Sequence, residues 1–461
     1  MNDEVQYRAA LAENRLFFTS GKRYSVLQRR RSLGALRDLL LAEQDRVLAA
    51  LNTDLGKSEY EARTSELIPL LASLKFMIGK LPGLARNRSA AAGIFNWPGR
   101  GEIRPEPYGQ VLIFSTWNYP LLMALDPLVA ALGAGNRVVL KLSPQAPATA
   151  ALVAELLGKC FTGGEVTVAP RDADFDFLFS EKFDYVFFTG GFKTGLEVYR
   201  RAAETLTPVT LELGGKSPCL VDESADLKVA ARRIAWGKFL NAGQTCVAPD
   251  YLLVHRKVKE ALMLELHDAV RAFFGDNPAE RGDYPRIVNE THFKRLEQLL
   301  GCGRLIAGGE KNRTTLYIAP TILDRITPDD PVMEEEIFGP ILPVLEVNTM
   351  EEAVAFVNAR PKPLALYYFG RDRRNRELVL NSTSSGGVAV NDTIMQLMSP
   401  AMPFGGVGAS GIGAYHGRYG FETFSHLKPV LFKSIWGELP LRYPPYRELQ
   451  QFIARFLCKK H

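Results

Sequence analysis

The stretch Val111-Leu-Ile-Phe-Ser-Thr-Trp-Asn-Tyr-Pro120, continued by an apolar run to Gly133 and by Arg137-Val-Val-Leu-Lys141, decides the fold. Val111 to Phe114 reads as a short buried strand, Tyr119 to Gly133 as a helical pattern opened by Pro120, and Arg137 to Lys141 as a second strand. The alternation continues with a helix from Ala146 to Lys159, strands at Glu165 to Val168 and Tyr185 to Phe188, and a helix from Gly195 to Thr205. Strands and helices taking turns across short joints marked by glycine or proline predict an α/β fold built on a doubly wound parallel sheet. Such sheets bind ligands outside the carboxyl ends of their strands.

A second alternating region begins at Val209-Thr-Leu-Glu-Leu213. It includes helices from Leu227 to Leu240, Glu260 to Phe274 and Met350 to Asn358, and strands at Tyr251 to His255, Ile341 to Val347 and Leu364 to Phe369. Upstream, residues 5 to 80 carry apolar residues at three- and four-residue spacing and predict helices covering one face of a sheet. Prolines and glycines from Pro82 to Pro107 interrupt any regular element and predict a connecting or projecting segment. The glycine-rich run Pro403 to Gly413 predicts a loop whose backbone packs closely or moves. The expected division is 1–80 with 106–210, then 211–400, with 81–105 and 428–446 bridging and an amphipathic tail at 447–461.

The totals agree with two domains. The chain has 461 residues, beyond the usual reach of one core, and a hydrophobic fraction of 46%. Its 56 basic and 51 acidic residues are spread along the chain and leave a net charge of +5, which argues against a nucleic-acid face. Cys160, Cys219, Cys246, Cys302 and Cys458 have no paired short spacing, so neither a disulfide framework nor a metal site is expected. The N-terminus lacks the order of a signal peptide. The most apolar long window, Val111 to Leu132, is broken by Asn118, Pro120, Asp126 and Pro127, so no membrane span is expected and the location expected is cytoplasmic.

Cys246 sits in Gly237-Lys-Phe-Leu-Asn-Ala-Gly-Gln-Thr-Cys-Val-Ala-Pro-Asp250, among Asn241, Gln244 and Thr245. A thiol attacks as its thiolate, which needs polar neighbours, so the window fits a nucleophile. A small core thiol fits it as well. Glu212 ends a strand before Gly214-Gly215, where a carboxylate can swing as a general base; a structural glutamate reads the same. Gly190, Gly191 and Gly195 join a strand to a helix and can approach a phosphate, although the spacing is not GxGxxG and a bare tight joint looks alike. Lys141 ends a strand at the expected crevice, or is a surface lysine. Asn118 has an amide able to donate to an oxyanion, or forms an Asx turn before Pro120. Glu336 belongs to an acidic triplet next to Phe338-Gly339, which alone reads as a solvated face.

In this order, Trp117-Asn118-Tyr119-Pro120, Lys141, Phe188-Thr189-Gly190, Leu211-Glu212-Leu213-Gly214-Gly215-Lys216, Gly243-Gln244-Thr245-Cys246, Glu336-Ile337-Phe338-Gly339-Pro340 and Pro403-Phe404-Gly405-Gly406 resemble the aldehyde dehydrogenase superfamily. The resemblance runs from near residue 10 to about 445. The string Gln244 to Tyr251, Tyr415-His-Gly, Phe421 to His426 and Arg442-Tyr-Pro-Pro445 look most like its class 3 branch, which includes fatty and aromatic aldehyde dehydrogenases.

The resemblance implies a Rossmann-like dinucleotide domain, a catalytic domain and a small bridging β segment. It implies that Cys246 attacks the aldehyde carbon, that Asn118 and the Cys246 amide hold the oxyanion, and that Glu212 activates the water that cleaves the thioester. For NAD or NADP it implies contacts from Trp117, Lys141, Gly190, Gly191, Gly195, Leu213, Glu336 and Phe338. Two departures bear on the cofactor: Gly191 stands where relatives often have serine, and Pro144 where many NAD-preferring relatives have a glutamate that repels a 2′-phosphate. The preference between NAD and NADP stays open.

The resemblance also implies a homodimer. The tail places Leu449, Phe452, Ile453, Phe456 and Leu457 on one helical face, with Lys459 and Lys460 behind. Three readings of it are open: packing onto its own domain or a dimer partner, a lid for lipophilic aldehydes, or weak peripheral membrane contact with no anchor following. A CoA-acylating enzyme is the alternative reaction, disfavoured by Glu212. A catalytically silent binding protein is the remote one, disfavoured by the intact Cys246, Glu212, Asn118 and Lys141.

Overall fold

Every residue of the Gln110–Phe114 strand is buried, as a strand covered on both faces requires. The computed structural model describes residues 3–93, 96–437 and 443–458. In it this strand lies inside a six-stranded sheet ordered Gly411–Ile412, Val209–Leu213, Tyr185–Gly190, Gln110–Phe114, Arg137–Lys141, Val166–Val168. The last five run parallel, and Gly411–Ile412 pairs antiparallel at the edge. The chain winds outward from Gln110–Phe114 through Arg137–Lys141, then crosses to Tyr185–Gly190 on the other side. That reversal opens a crevice at the carboxyl ends, where Trp117, Asn118 and Thr189 stand.

Side chains alternate along the strand. Val111 and Ile113 join one core with Leu33, Leu36, Leu70 and Leu74, while Leu112 and Phe114 join another with Tyr7 and Leu11. The N-terminal helices therefore divide. Asp3–Thr19 covers the second face and only the later ones cover the face expected for all of them.

A second sheet of seven strands runs Arg304–Ala307, Thr321–Asp324, Ile341–Val347, Tyr251–His255, Pro218–Val221, Ala365–Phe369, Gly387–Val390. All pairs but the first are parallel. The joint expected between residues 210 and 211 cuts the Val209–Leu213 strand, which pairs along its whole length with Tyr185–Gly190. The second sheet starts instead with Pro218–Val221, because the Gly214-Gly215 turn rather than an apolar run separates the two sheets.

A third sheet joins Arg88–Ala90, Gly99–Pro107 and Ser425–Lys433, the last two in an unbroken antiparallel register from Ser425 opposite Pro107 to Lys433 opposite Gly99. This is the expected bridging β segment, with its second strand starting at Ser425 rather than 428; residues 438–442 of that stretch lie outside the described residues. Pro82 does not end the preceding helix, which continues to Leu84. Proline lacks the N–H that would bond the Ile78 carbonyl, and Arg30 Nε donates to that carbonyl at 3.0 Å instead.

Among the described residues, the continuous helical run Glu59–Leu84, rather than the window from Val111, is the stretch long and apolar enough by length and composition to cross a membrane. Its stripe of Leu70, Leu74, Met77 and Leu81 packs into the first core. The tail helix Glu448–Cys458 leaves Leu449, Phe452 and Phe456 exposed; the side chain of Leu457 and residues Lys459 and Lys460 lie outside the described residues.

Candidate active site

The Leu227–Phe239 helix ends in a turn where Asn241, Ala242 and Gly243 all take positive φ, at 52°, 50° and 73°. Gly243 is required there, since a β-carbon would overlap the Gly339 carbonyl. Asn241 tolerates the left-handed region because it is tied on both sides. Its N–H donates to Glu61 Oε1 at 2.8 Å, and its Nδ2 donates to the carbonyls of Asn118 at 2.9 Å and Gln244 at 3.2 Å. The Gln244 amide donates to Asn241 and Arg286 carbonyls and accepts from Val288 N–H. Asn241 and Gln244, expected as a polar setting for the thiol, brace the loop that carries it.

That bracing delivers Cys246, half-buried, to a cavity of about 1390 Å³ between the two sheets. Burial, with the Glu336 and Glu212 charges adding, pushes the thiol up to about 12. Asn118 and Glu212 line the same cavity. Thr116 Oγ1 donates to Asn118 Oδ1 at 2.7 Å and Asn118 Nδ2 donates to the Gln244 carbonyl at 3.0 Å. The amide is thus oriented, and one of its two N–H groups is left over for an oxyanion. Glu212 follows from a strand end paired with Gly411 and Thr189; both its carboxyl oxygens are buried without a hydrogen-bond partner. Burial raises its pKa well above the usual carboxylate range.

At the crevice end, Trp117 packs against Phe338 and His292 with ring centroids 5.3 and 5.0 Å apart. The segment carrying Glu336 and Phe338 is held by Lys216, whose Nζ donates to Asp250 at 2.5 Å and to the Val332 and Glu335 carbonyls, and by Arg295, which donates to the Ile337 carbonyl. Burial, with Asp250 next, raises the Glu336 carboxyl to about 8. Gly191 caps the helix Phe192–Glu204 with open space around its α-carbon, and Thr189 Oγ1 is buried without a partner. A bare Gly214 under the Glu336 carboxylate, an unpaired hydroxyl and a helix N-terminus suit the ribose and pyrophosphate of a dinucleotide.

Trp117, Gly190, Gly191, Glu336 and Phe338 line this cavity with the three catalytic candidates; Lys141, Gly195 and Leu213 do not. Gly195 serves packing, since a β-carbon there would meet Leu213 Cδ2 at 2.5 Å. Lys141 Nζ donates to the Arg171 carbonyl at 2.6 Å at the strand's carboxyl end.

Away from the crevice, Trp236, Phe273, Met395, Met398 and Phe404 give the cavity an apolar wall. Sequence reasoning missed several cavity groups. His416 Nε2 lies 3.5 Å from Asp126, which also accepts from Ser73 Oγ. Glu61, raised to about 7 by burial, belongs to a helix expected only to cover a sheet. No spacing signal marks these residues, since their partners are hundreds of positions away or on other elements.

The model of the aldehyde dehydrogenase family matches residues 1–430. Aldehyde dehydrogenase family 3 member A2 of Mus musculus is 44% identical over 449 residues, covering 96% of this chain and 92% of its own. The 4,4'-diaponeurosporen-aldehyde dehydrogenase of Staphylococcus aureus is 42% identical over 447 residues, covering 96% and 97%. Among solved structures, the substrate-bound state of Staphylococcus aureus AldH superposes with a TM-score of 0.94 at 41% identity, over 98% of this chain and 99% of that one. A Mycobacterium tuberculosis aldehyde dehydrogenase complexed with NAD+ superposes with a TM-score of 0.85 at 27% identity, over 94% and 92%.

Proposed function

The chain belongs to the aldehyde dehydrogenase family, and from that premise we propose how its residues divide the work and which aldehydes it takes. It oxidises aldehydes to carboxylic acids with NAD or NADP. Cys246 is the nucleophile. Its thiol releases its proton to solvent and the thiolate attacks the aldehyde carbon to give a thiohemiacetal, whose oxyanion accepts hydrogen bonds from the spare Asn118 N–H and the Cys246 amide; one such donor contributes about 3 kcal/mol to lowering the barrier. The dinucleotide, when bound, supplies the hydride acceptor. Glu212 then takes a proton from the water that attacks the thioester, releasing the acid and the Cys246 thiol. The observation that carries this reading is the convergence of Cys246, an oriented Asn118 amide and an unpartnered Glu212 carboxyl on one cavity.

Glu336 and Phe338 hold the nicotinamide end, Gly190 and Gly191 lie along the pyrophosphate, and Lys141 serves the adenosine ribose from the strand end beside the cavity. Pro144 offers no carboxylate against a 2′-phosphate, so NADP meets no repulsion there and the choice between NAD and NADP is left to the assay below. The aldehydes are medium- to long-chain aliphatic or aromatic. The apolar wall and the diaponeurosporen-aldehyde named for the Staphylococcus relative support this. Steady-state rates over an aldehyde panel, each with NAD and NADP and with Cys246→Ala as control, test it. A substrate optimum at two-carbon aldehydes counts against the substrate class, and dehydrogenase activity surviving in Cys246→Ala counts against the nucleophile.

We also propose a homodimer, joined through the outer edge of Ser425–Lys433, beside which Leu431, Ile435 and Trp436 are exposed. Five free cysteines suit a reducing compartment, and the cytoplasm is the proposed location. Sedimentation of the purified protein tests the dimer, a monomer at micromolar concentration being the contrary result.

A further inference from the structure

The Gln44–Leu55 helix ends at Gly56 in the left-handed region (φ 68°), which drops Lys57 into the interior, and the π-helical turn Arg63–Leu67 brings Glu66 beside it. Both side chains are fully buried, and Lys57 Nζ lies 2.6 Å from Glu66 Oε1. Burying such a pair is costly, and well-packed apolar residues of similar size often do as well for stability. What the pair touches is therefore informative.

Lys57 Nζ donates to the Asn118 carbonyl at 2.9 Å and lies 4.0 Å from the centre of the Tyr119 ring. The Tyr119 hydroxyl is 2.6 Å from Thr245 Oγ1, one residue before Cys246. The second Glu66 oxygen accepts the Leu121 and Leu122 N–H groups at 2.9 and 3.2 Å. These open the Leu122–Ala134 helix, which has no side-chain cap of its own. The pair grips the main chain on both sides of Pro120, and it reaches toward the reacting atoms through Asn118 and Tyr119.

We propose that Lys57 and Glu66 are positioning residues for the oxyanion site: the buried ion pair sets the Asn118 main chain so that its amide meets the oxyanion formed on Cys246. This rests on the roles proposed above for Asn118 and Cys246. A displacement of the donor by about 1 Å lowers turnover on the order of 100-fold.

The test compares three full-length variants with the wild type: Asn118→Ala, Lys57→Met, and the double variant Lys57→Met with Glu66→Gln. The double variant removes both charges but keeps an amide oxygen for the Leu121 and Leu122 N–H groups. Thermal midpoint, the fraction of sites titrated by a single-turnover burst, kcat, and KM for dinucleotide and aldehyde are read for each. The expected result is that Lys57→Met loses thermal stability and the double variant regains most of it. The double variant's kcat per titrated site stays about 100-fold down, with KM for the dinucleotide unchanged. A merely structural pair would return kcat together with stability. A double variant with wild-type kcat, while Asn118→Ala has lost its own, overturns the positioning role alone. Asn118→Ala at wild-type kcat overturns the oxyanion reading and this inference with it. If neither Lys57 variant folds, the Tyr119→Phe enzyme, cut from Thr245 on the same path, must show the kcat loss at unchanged dinucleotide KM, and wild-type kcat there overturns the proposal.

Discussion

Gly214 lies directly under the Glu336 carboxylate, so closely that a β-carbon on Gly214 would overlap Glu336 Oε2. Gly214→Ala must push that carboxylate out of its place above the turn. The expected result is a KM for the dinucleotide raised about tenfold, equivalent to about 1.4 kcal/mol, with KM for the aldehyde little changed. Overpacking also lowers stability by about 1–3 kcal/mol. Fluorescence titration with NAD checks the first effect, and unchanged affinity would show that Glu336 does not contact the dinucleotide.

The Cys246 thiol is held up to about 12 by burial, then by the Glu336 and Glu212 charges. A raised thiol pKa leaves the free enzyme protonated at neutral pH, so alkylation of Cys246 by iodoacetamide rises about tenfold per pH unit between about pH 7 and 9. Glu336→Gln removes one of the opposing charges and speeds alkylation at fixed pH above about 8, where the Glu336 carboxyl is ionised. Cys458 is exposed, so the rate is read by mass spectrometry on the Cys246 peptide. A pH-independent rate would mean that the thiolate already prevails.

Glu212→Gln removes the base that activates water. Its kcat falls about 10²- to 10⁴-fold, and a covalent acyl adduct on Cys246 builds up in intact-mass spectra. Stability moves the other way. Glu212 has a folded pKa well above its unfolded value near 4. The stability linked to its bound proton is complete below the unfolded pKa and is lost as pH rises toward the folded one. The gain in thermal midpoint of Glu212→Gln over wild type therefore grows between about pH 5 and 8. A gain that shrinks over that range contradicts the raised pKa.

Deleting residues 447–461 removes the tail helix, whose Leu449, Phe452 and Phe456 are exposed and do not line the cavity. If the helix closes over lipophilic aldehydes, activity on long-chain substrates falls more than on short ones. Equal losses on both exclude the lid, and a shift to monomer in sedimentation assigns the helix to the subunit interface.

The strands of the first sheet were legible because each is a short apolar run between glycine or proline joints, whereas Cys246, Glu212 and Asn118, each open to a structural reading alone, stood out as candidates only through the family's order of motifs. Pro218–Val221 and Thr321–Asp324 escaped because wholly buried four-residue strands carry no alternation. Gly195 read as a ligand contact, yet the fold sets it against Leu213, where a β-carbon would meet Cδ2.

The sequence by itself determined the α/β alternation, for which local periodicity and residue type suffice, and it offered Cys246, Glu212 and Asn118 as candidates through their place in the family's order of motifs. Only the tertiary structure decided which polar residues face the cavity and which brace it. Asn241 and Gln244 turned into the loop, while Lys57 and Glu66 emerged from a helical segment to hold Asn118. The physical reason is that a buried donor or charge is defined by the partner that satisfies it. For Asn118 the partners lie 61 residues before it and 126 residues after it, a pairing that only the folded chain makes.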